Sequence, residues 1–492
     1  MVENQWAIGL TFTLYLAGMF AIGLWSYLRT KDMSDYILGG RSLGPLPSAL
    51  SAGASDMSGW LLLGLPGYAY VAGVEAGWIA LGLLTGTWLN WRVVARRLRI
   101  YSYKMGDCLT ISDYLENRFR DNSRLLRIIS ALIILFFFLF YTSSGLVAGG
   151  KLFETVFGLD YRLAVIVGTI AVVSYTLFGG FLAVAWTDVV QGLLMSAALV
   201  IVPVAAIEAM GGVAAIQETV AAKNPALLDL WTGTSGESIG AISIFSLLGW
   251  GLGYFGQPHI LARFKAIRSE EDIPAARRVA VAWATLTLVG SLICGFVAIA
   301  YFGEPLEDSE RAFMLLIDAL FNPLVAGILL AAILAAVMST ADSQLLVASS
   351  ALAEDFYRAL FRQNASQREL VKVGRLAVVL IALVASYIAL EPENQVLTMV
   401  SYAWAGFGAA FGPTIVFSLY WRRMNRNGAL AGIIVGGITV VVWKNLSGGI
   451  FELYELIPAF FMSSAAIAIV SLVTAEPVVA IKQQSKGVTH GV

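Results

Sequence analysis

The chain has 492 residues, 58% of them hydrophobic and 13% charged, with a formal net charge of −1. Soluble domains carry about 25% charged residues, so this composition excludes an ordinary soluble fold and defines a polytopic membrane protein. The near-neutral total hides a strong spatial asymmetry of the basic residues, and no nucleic-acid partner is expected.

A bilayer crossing takes roughly 20 apolar residues. Such segments fall at 6–28, 46–72, 78–98, 125–155, 161–179, 183–210, 238–262, 277–302, 324–356, 371–390, 395–421, 428–446 and 455–475. The first opens at Trp6 with no basic residue before it and lacks a small-residue cleavage pattern, so a retained helix is expected rather than a signal peptide. Alternate connections carry the basic residues: nine from Arg92 to Arg127, five from Arg263 to Arg278, five from Arg358 to Arg375, then Arg422, Arg423 and Arg426. The positive-inside rule assigns these to the cytoplasm. Strict alternation through thirteen spans then puts the N-terminus outside and the C-terminus inside. Cys108 and Cys294 fall on opposite sides of this topology, so disulfide and metal-thiolate readings have no support.

Three stretches depart from simple apolar helix. The first, Ser51 to Trp60, puts small and polar residues, Gly53, Gly59 and the carboxylate of Asp56 inside a span. Broken backbone at membrane depth survives only where it lines a cavity or coordinates something, and charge there is costly and usually functional. The second, Gly249 to Pro258, holds four glycines and a proline five spans later. Two broken helices at matching positions of two five-span halves point to an inverted-repeat transporter binding its cargo near the midplane. Close helix packing through glycine is the alternative reading of either break alone. In the third, Ala336, Ser339, Thr340 and Ser343 share one helical face by their i, i+3, i+4, i+7 spacing. Its hydroxyls suit a hard cation such as sodium, with backbone carbonyls around Ala54 and Met57 able to complete the shell. Hydroxyls bonded back to their own helix are the alternative.

The runs Leu38 to Pro45, Ser51 to Trp60, Gly249 to Phe264 and Ala335 to Thr340 resemble the sodium/solute symporter family, over a stretch from about Asp35 to Trp443. The resemblance implies an all-α polytopic fold of about thirteen helices and sodium-driven uptake of L-proline by alternating access. It implies a single membrane domain: an extra helix at 6–28, inverted repeats at 46–210 and 238–421, two further helices at 428–475 and a cytoplasmic tail at 476–492. Sodium and proline would be the only partners besides the lipid bilayer, with no obligate protein partner.

Carried onto this chain, the family's sodium site uses the carbonyls of Ala54, Met57 and Ala336 and the hydroxyls of Ser339 and Thr340. Asp56 matches an essential aspartate and is expected to cap the restarting half-helix or to support the site without ligating the ion. Arg41 matches a position that affects coupling and the inner gate, with a positive-inside anchor as its alternative. For the solute, Tyr141, Trp250 and Tyr254 match aromatic substrate positions. An aromatic face attracts an ammonium, while Ser58 and Gly59 lie beside the carboxylate and Pro258 lies at the second break. Some relatives form an additional sodium site at the position of Asp188, where this chain also offers Asp342 and Ser343. A shared proton, structural hydrogen bonds or a basic neighbour would equally stabilise those carboxylates. His259 is expected to be a satisfied core histidine.

Other solutes of the same family, such as an acyclic amino acid, pantothenate or a sialic acid, are the nearest alternative. A sensory input module would need an output domain beyond the last span. An enzyme would need a nucleophile, base and orienter, and no such set can be assembled.

Overall fold

A computed structural model describes residues 5–27, 33–177 and 180–474. The expected tail at 476–492 lies outside the described residues. Within them every regular element is helical, with only two isolated backbone bridges. Ten helices are long and apolar enough to cross a membrane, and Tyr161–Ser174 and Ala241–Gly256 are shorter apolar helices. Ten is fewer than the thirteen segments drawn from sequence. Breaks cut two of those segments into pieces, and Trp60–Val93 runs together segments on either side of Gly73.

Local chemistry sets the ends. Pro45, Pro258 and Pro323 each open a helix at its first turn, where the missing amide costs nothing. Asn322, Ser366 and Asn425 cap the helices that follow by accepting amide hydrogens of Val325, Glu369 and Gly428. The first broken helix runs Pro45–Asp56, leaves helical geometry at Met57 (ψ 79°), then restarts as a wide turn at Trp60–Gly64 and continues as Leu65–Ala72. The second runs Ala241–Gly249, tightens over Trp250–Gly256, extends at Gln257 and resumes as Pro258–Ala266.

Glycine places these breaks close to their neighbours. A Cβ on Gly86 or Gly251 would strike a facing backbone carbonyl, so the helix Gly77–Val93 lies directly on the second break. The long helix Pro323–Ser350 packs against Leu125–Phe157, Phe181–Ala209, the N-terminal helix Gln5–Tyr27 and the half-helix Pro45–Asp56. That packing brings the serine face to the first break.

On the side of the basic connections the two broken helices are tied together. Leu43 and Ile267 form a parallel bridge, with Leu43 N–H donating to Ala266 O (3.3 Å) and Arg268 N–H to Leu43 O (2.9 Å). Arg41, itself buried, donates to Lys265 O (2.6 Å), Asp107 (2.6 Å), Cys108 O (3.2 Å) and Ser102 (3.3 Å).

Candidate functional site

The interruption after Asp56 frees carbonyls that a continuous helix would consume. Ala54 O receives the Ser339 hydroxyl at 2.7 Å and the Thr340 hydroxyl at 3.3 Å. Ser339 Oγ also lies 3.1 Å from Ala336 O. Four of the five expected sodium-site residues therefore converge on one buried point, and Met57, the fifth, turns out of the helix two residues after Asp56's neighbour Ser55. The donors are all oxygens, the chemistry of a hard cation. Among the described residues no cluster of three His, Cys, Asp or Glu competes as a metal centre. Thr340→Ala removes one oxygen, and half-saturation of transport by sodium is expected to rise about tenfold, from roughly 1–2 kcal/mol. Sodium titration of uptake checks it; an unchanged titration in this variant and in Ser339→Ala would reject the assignment.

Asp56 departs from the capping expectation. The restarting helix has no side-chain cap; Ser58 Oγ accepts only the Trp60 amide, at 3.4 Å. Asp56 is still the last residue of the first half-helix, so its side chain projects across the break, where Oδ2 accepts the Tyr254 hydroxyl at 2.7 Å. Its backbone carbonyl receives Tyr141 OH at 3.0 Å and the Trp60 indole at 3.1 Å. Asp56 thus fastens the first break to the second.

The aromatic residues gather around this point. Trp250 lies 6.4 Å from Trp60 and stacks on Tyr454 at 5.5 Å and 23°. Tyr254 meets Trp404 edge-on at 4.9 Å, and its carbonyl receives Asn90 at 2.9 Å. Gly59 sits where a Cβ would strike the side chain of Ala148. Asp56, Met57, Thr87, Asn90 and Tyr254 border a void of only about 20 Å³. Pro258 is not brought to this cluster. Extended Gln257 carries the chain away, and Pro258 lines a separate small void with Leu346, Lys265 and Asp355.

Asp188 and Ser343 do meet, through a residue the sequence reading did not single out. Arg263, fully buried, donates to Asp188 Oδ2 (3.2 Å), Ser51 (3.1 Å), His259 O (3.1 Å) and Ser343, and lies 5.0 Å over the Phe181 ring. Ser51 also donates to Asp188 at 2.7 Å. For Asp188 the fold supplies both a basic neighbour, Arg263, and a structural hydrogen bond from Ser51. Asp342 stands apart and accepts the Thr176 hydroxyl. His259 differs from its expectation: neither ring nitrogen has a hydrogen-bond partner among the described residues, and the ring sits between Phe138 and Tyr141.

Two broken helices clasped to a hydroxyl-lined helix, all at membrane depth, define a secondary transporter core. The chain belongs to the sodium:solute symporter family, whose sequence profile matches residues 36–436. It is 52% identical over 481 residues to the sodium/proline symporter of Salmonella typhimurium, covering 96% of this chain and 94% of that one. It is 50% identical over 470 residues to the osmoregulated proline transporter OpuE of Bacillus subtilis, with 94% of each chain covered. A substrate-bound, outward-open sodium-coupled sialic acid symporter superposes with a TM-score of 0.79 at 21% identity, over 96% of this chain and 98% of that one. The fold is thus an all-α, multi-pass membrane fold of the sodium-symporter type, and sodium is co-transported cargo.

Proposed function

We propose that the chain imports L-proline together with sodium across a bacterial-type plasma membrane, with its N-terminus outside and its C-terminus in the cytoplasm. The observation that carries the ion half is the convergence of the Ser339 and Thr340 hydroxyls on Ala54 O (2.7 and 3.3 Å). The solute half rests on the relatives at about half identity over almost the whole chain and on the aromatic cluster beside the break.

In this reading Ala54, Met57, Ala336, Ser339 and Thr340 hold sodium. Asp56 lends negative charge beside the ion and, through Tyr254, couples its arrival to the second broken helix. The helix restart at Ser58 and Gly59 takes the proline carboxylate on its amide hydrogens. Tyr141, Trp250 and Tyr254 take the ring and the secondary ammonium. Segments 46–210 and 238–421 act as the two inverted repeats within thirteen spans, and Arg41 governs opening on the cytoplasmic side. A cation between Asp188 and Ser343 has no place in this scheme, because the Arg263 guanidinium already bonds both.

Radiolabelled proline uptake into proteoliposomes, with and without an inward sodium gradient, tests the reading. Sodium-driven accumulation is expected, and its absence in protein that remains folded would overturn it. Trp250→Ala is expected to weaken proline binding at saturating sodium by about tenfold or more, a loss of roughly 1.5–3 kcal/mol of apolar contact. Sodium binding measured without proline should persist in that variant. Equal loss of both would mean Trp250 is structural.

A further inference from the structure

Three buried oxygen atoms beside the second break have no hydrogen-bond partner among the described residues: Asp56 Oδ1, Thr87 Oγ1 and Asn90 Oδ1. Asp56 ends the first half-helix, while Thr87 and Asn90 stand three residues apart on one face of the helix Gly77–Val93. All three residues border the void of about 20 Å³, and among the described residues no Lys, Arg or His lines it. The Tyr254 hydroxyl, which also lies beside Thr87, is already given to Asp56 Oδ2 at 2.7 Å. Asn90 donates its amide hydrogen to Tyr254 O at 2.9 Å, and because a carbonyl only accepts, that bond settles which end of the side chain is the oxygen.

Polar oxygens left unpaired in an apolar interior are costly. A void of about 10–15 Å³ or more, with two to four polar partners, holds one water. The hydrogen-bond count closes around such a molecule. Its two hydrogens suit Asp56 Oδ1 and Asn90 Oδ1, and its oxygen accepts the Thr87 hydroxyl. No second cation is needed to balance Asp56, since the sodium assigned above binds at Ala54 and Met57, which flank it in the chain.

We propose that this void is the site of one structural water shared by Asp56, Thr87 and Asn90, and that Thr87 and Asn90 are positioning residues for sodium coupling. The Asp56 carboxylate is then held from two sides, by Tyr254 on one oxygen and by the water on the other. Its direction stays fixed when sodium arrives, so the ion's pull reaches the helix Gly77–Val93 as well as the second break. The proposal rests on the sodium-site reading and adds to it a helix that supplies no ligand to ion or solute.

Thr87→Val keeps the side-chain shape and removes only the hydroxyl. Proline isotherms on the full chain in lipid nanodiscs, at low and at saturating sodium, give the factor by which sodium raises proline affinity. That factor is expected to fall about fivefold in Thr87→Val and to return in Thr87→Ser. Radioactive sodium bound without proline should count one ion per chain in wild type and in Thr87→Val. Two ions in wild type falling to one in Thr87→Val would make the void a cation site and overturn the water. An unchanged factor in Thr87→Val would also overturn it, and a raised unfolding temperature in that variant would show the hydroxyl to be dry. A Thr87→Ser variant as impaired as Thr87→Val would reduce the effect to packing and reject the proposal. No sodium enhancement of proline binding in wild type is a separate result, and it would remove the sodium-coupled reading together with this one.

Discussion

Arg263→Ala is expected to lose about 3–5 kcal/mol of stability, the usual cost of stripping one member from a buried ion pair. Asp188 would keep a buried charge with only the Ser51 hydroxyl to solvate it, and Ser343 would lose its donor. Thermal unfolding in detergent measures the loss, and it should be among the largest for any single substitution in the core. The pair Asp188→Asn with Arg263→Gln removes both charges and keeps hydrogen-bonding groups, so it should recover most of that stability. If Arg263→Ala alone unfolds at the wild-type temperature, the pair carries no structural weight. The double variant also separates stability from transport. A recovered fold with recovered sodium-driven uptake would make the pair purely structural.

Tyr254→Phe is expected to weaken coupled binding without removing either binding surface. Among the described residues the hydroxyl is the one donor to the Asp56 carboxylate, whose other oxygen has no partner there. Hydrogen bonds to charged groups contribute about 1.5–3 kcal/mol. Sodium's enhancement of proline affinity should therefore fall by about tenfold or more, whereas proline's ring keeps its aromatic wall. Binding isotherms of proline at low and saturating sodium give the ratio. A ratio equal to that of wild type would mean that Asp56 does not link the two breaks.

Much of the architecture is legible in the sequence because the membrane enforces it. The apolar runs from Trp6 onward, the glycine-rich interruption at Gly249 to Pro258 and the hydroxyl face of Ser339 and Thr340 are local patterns with direct structural meaning. What sequence hides is which distant side chain answers a buried charge. Asp56 looks like a cap because capping is the local use of an aspartate at a helix restart, yet its partner is 198 positions away. Arg263 sits among the basic residues of one connection and looks like one more anchor. Its burial against Asp188 follows only from the angle at which Pro258–Ala266 enters the core. The same holds for Tyr454, whose stacking on Trp250 depends on how the last helices dock. A signal was present for Arg263 alone: a guanidinium five residues past a proline at a break needs a carboxylate, and Asp188 is a span-embedded one.

The tie between the two broken helices at Leu43 and Ile267 also carries a free energy of its own. Three hydrogen bonds join those ends directly: Leu43 to Ala266, Arg268 to Leu43 and Arg41 to Lys265. At about 0.5–1.5 kcal/mol each, with up to about 3 for the guanidinium, they hold those ends together by roughly 1.5–6 kcal/mol. Turning a two-state balance from 1:99 to 99:1 takes about 5.5 kcal/mol of differential binding. A fastening of that order biases the two helix ends toward the joined arrangement when no ligand is bound. It is still weak enough for the combined grip of one ion and one solute to undo.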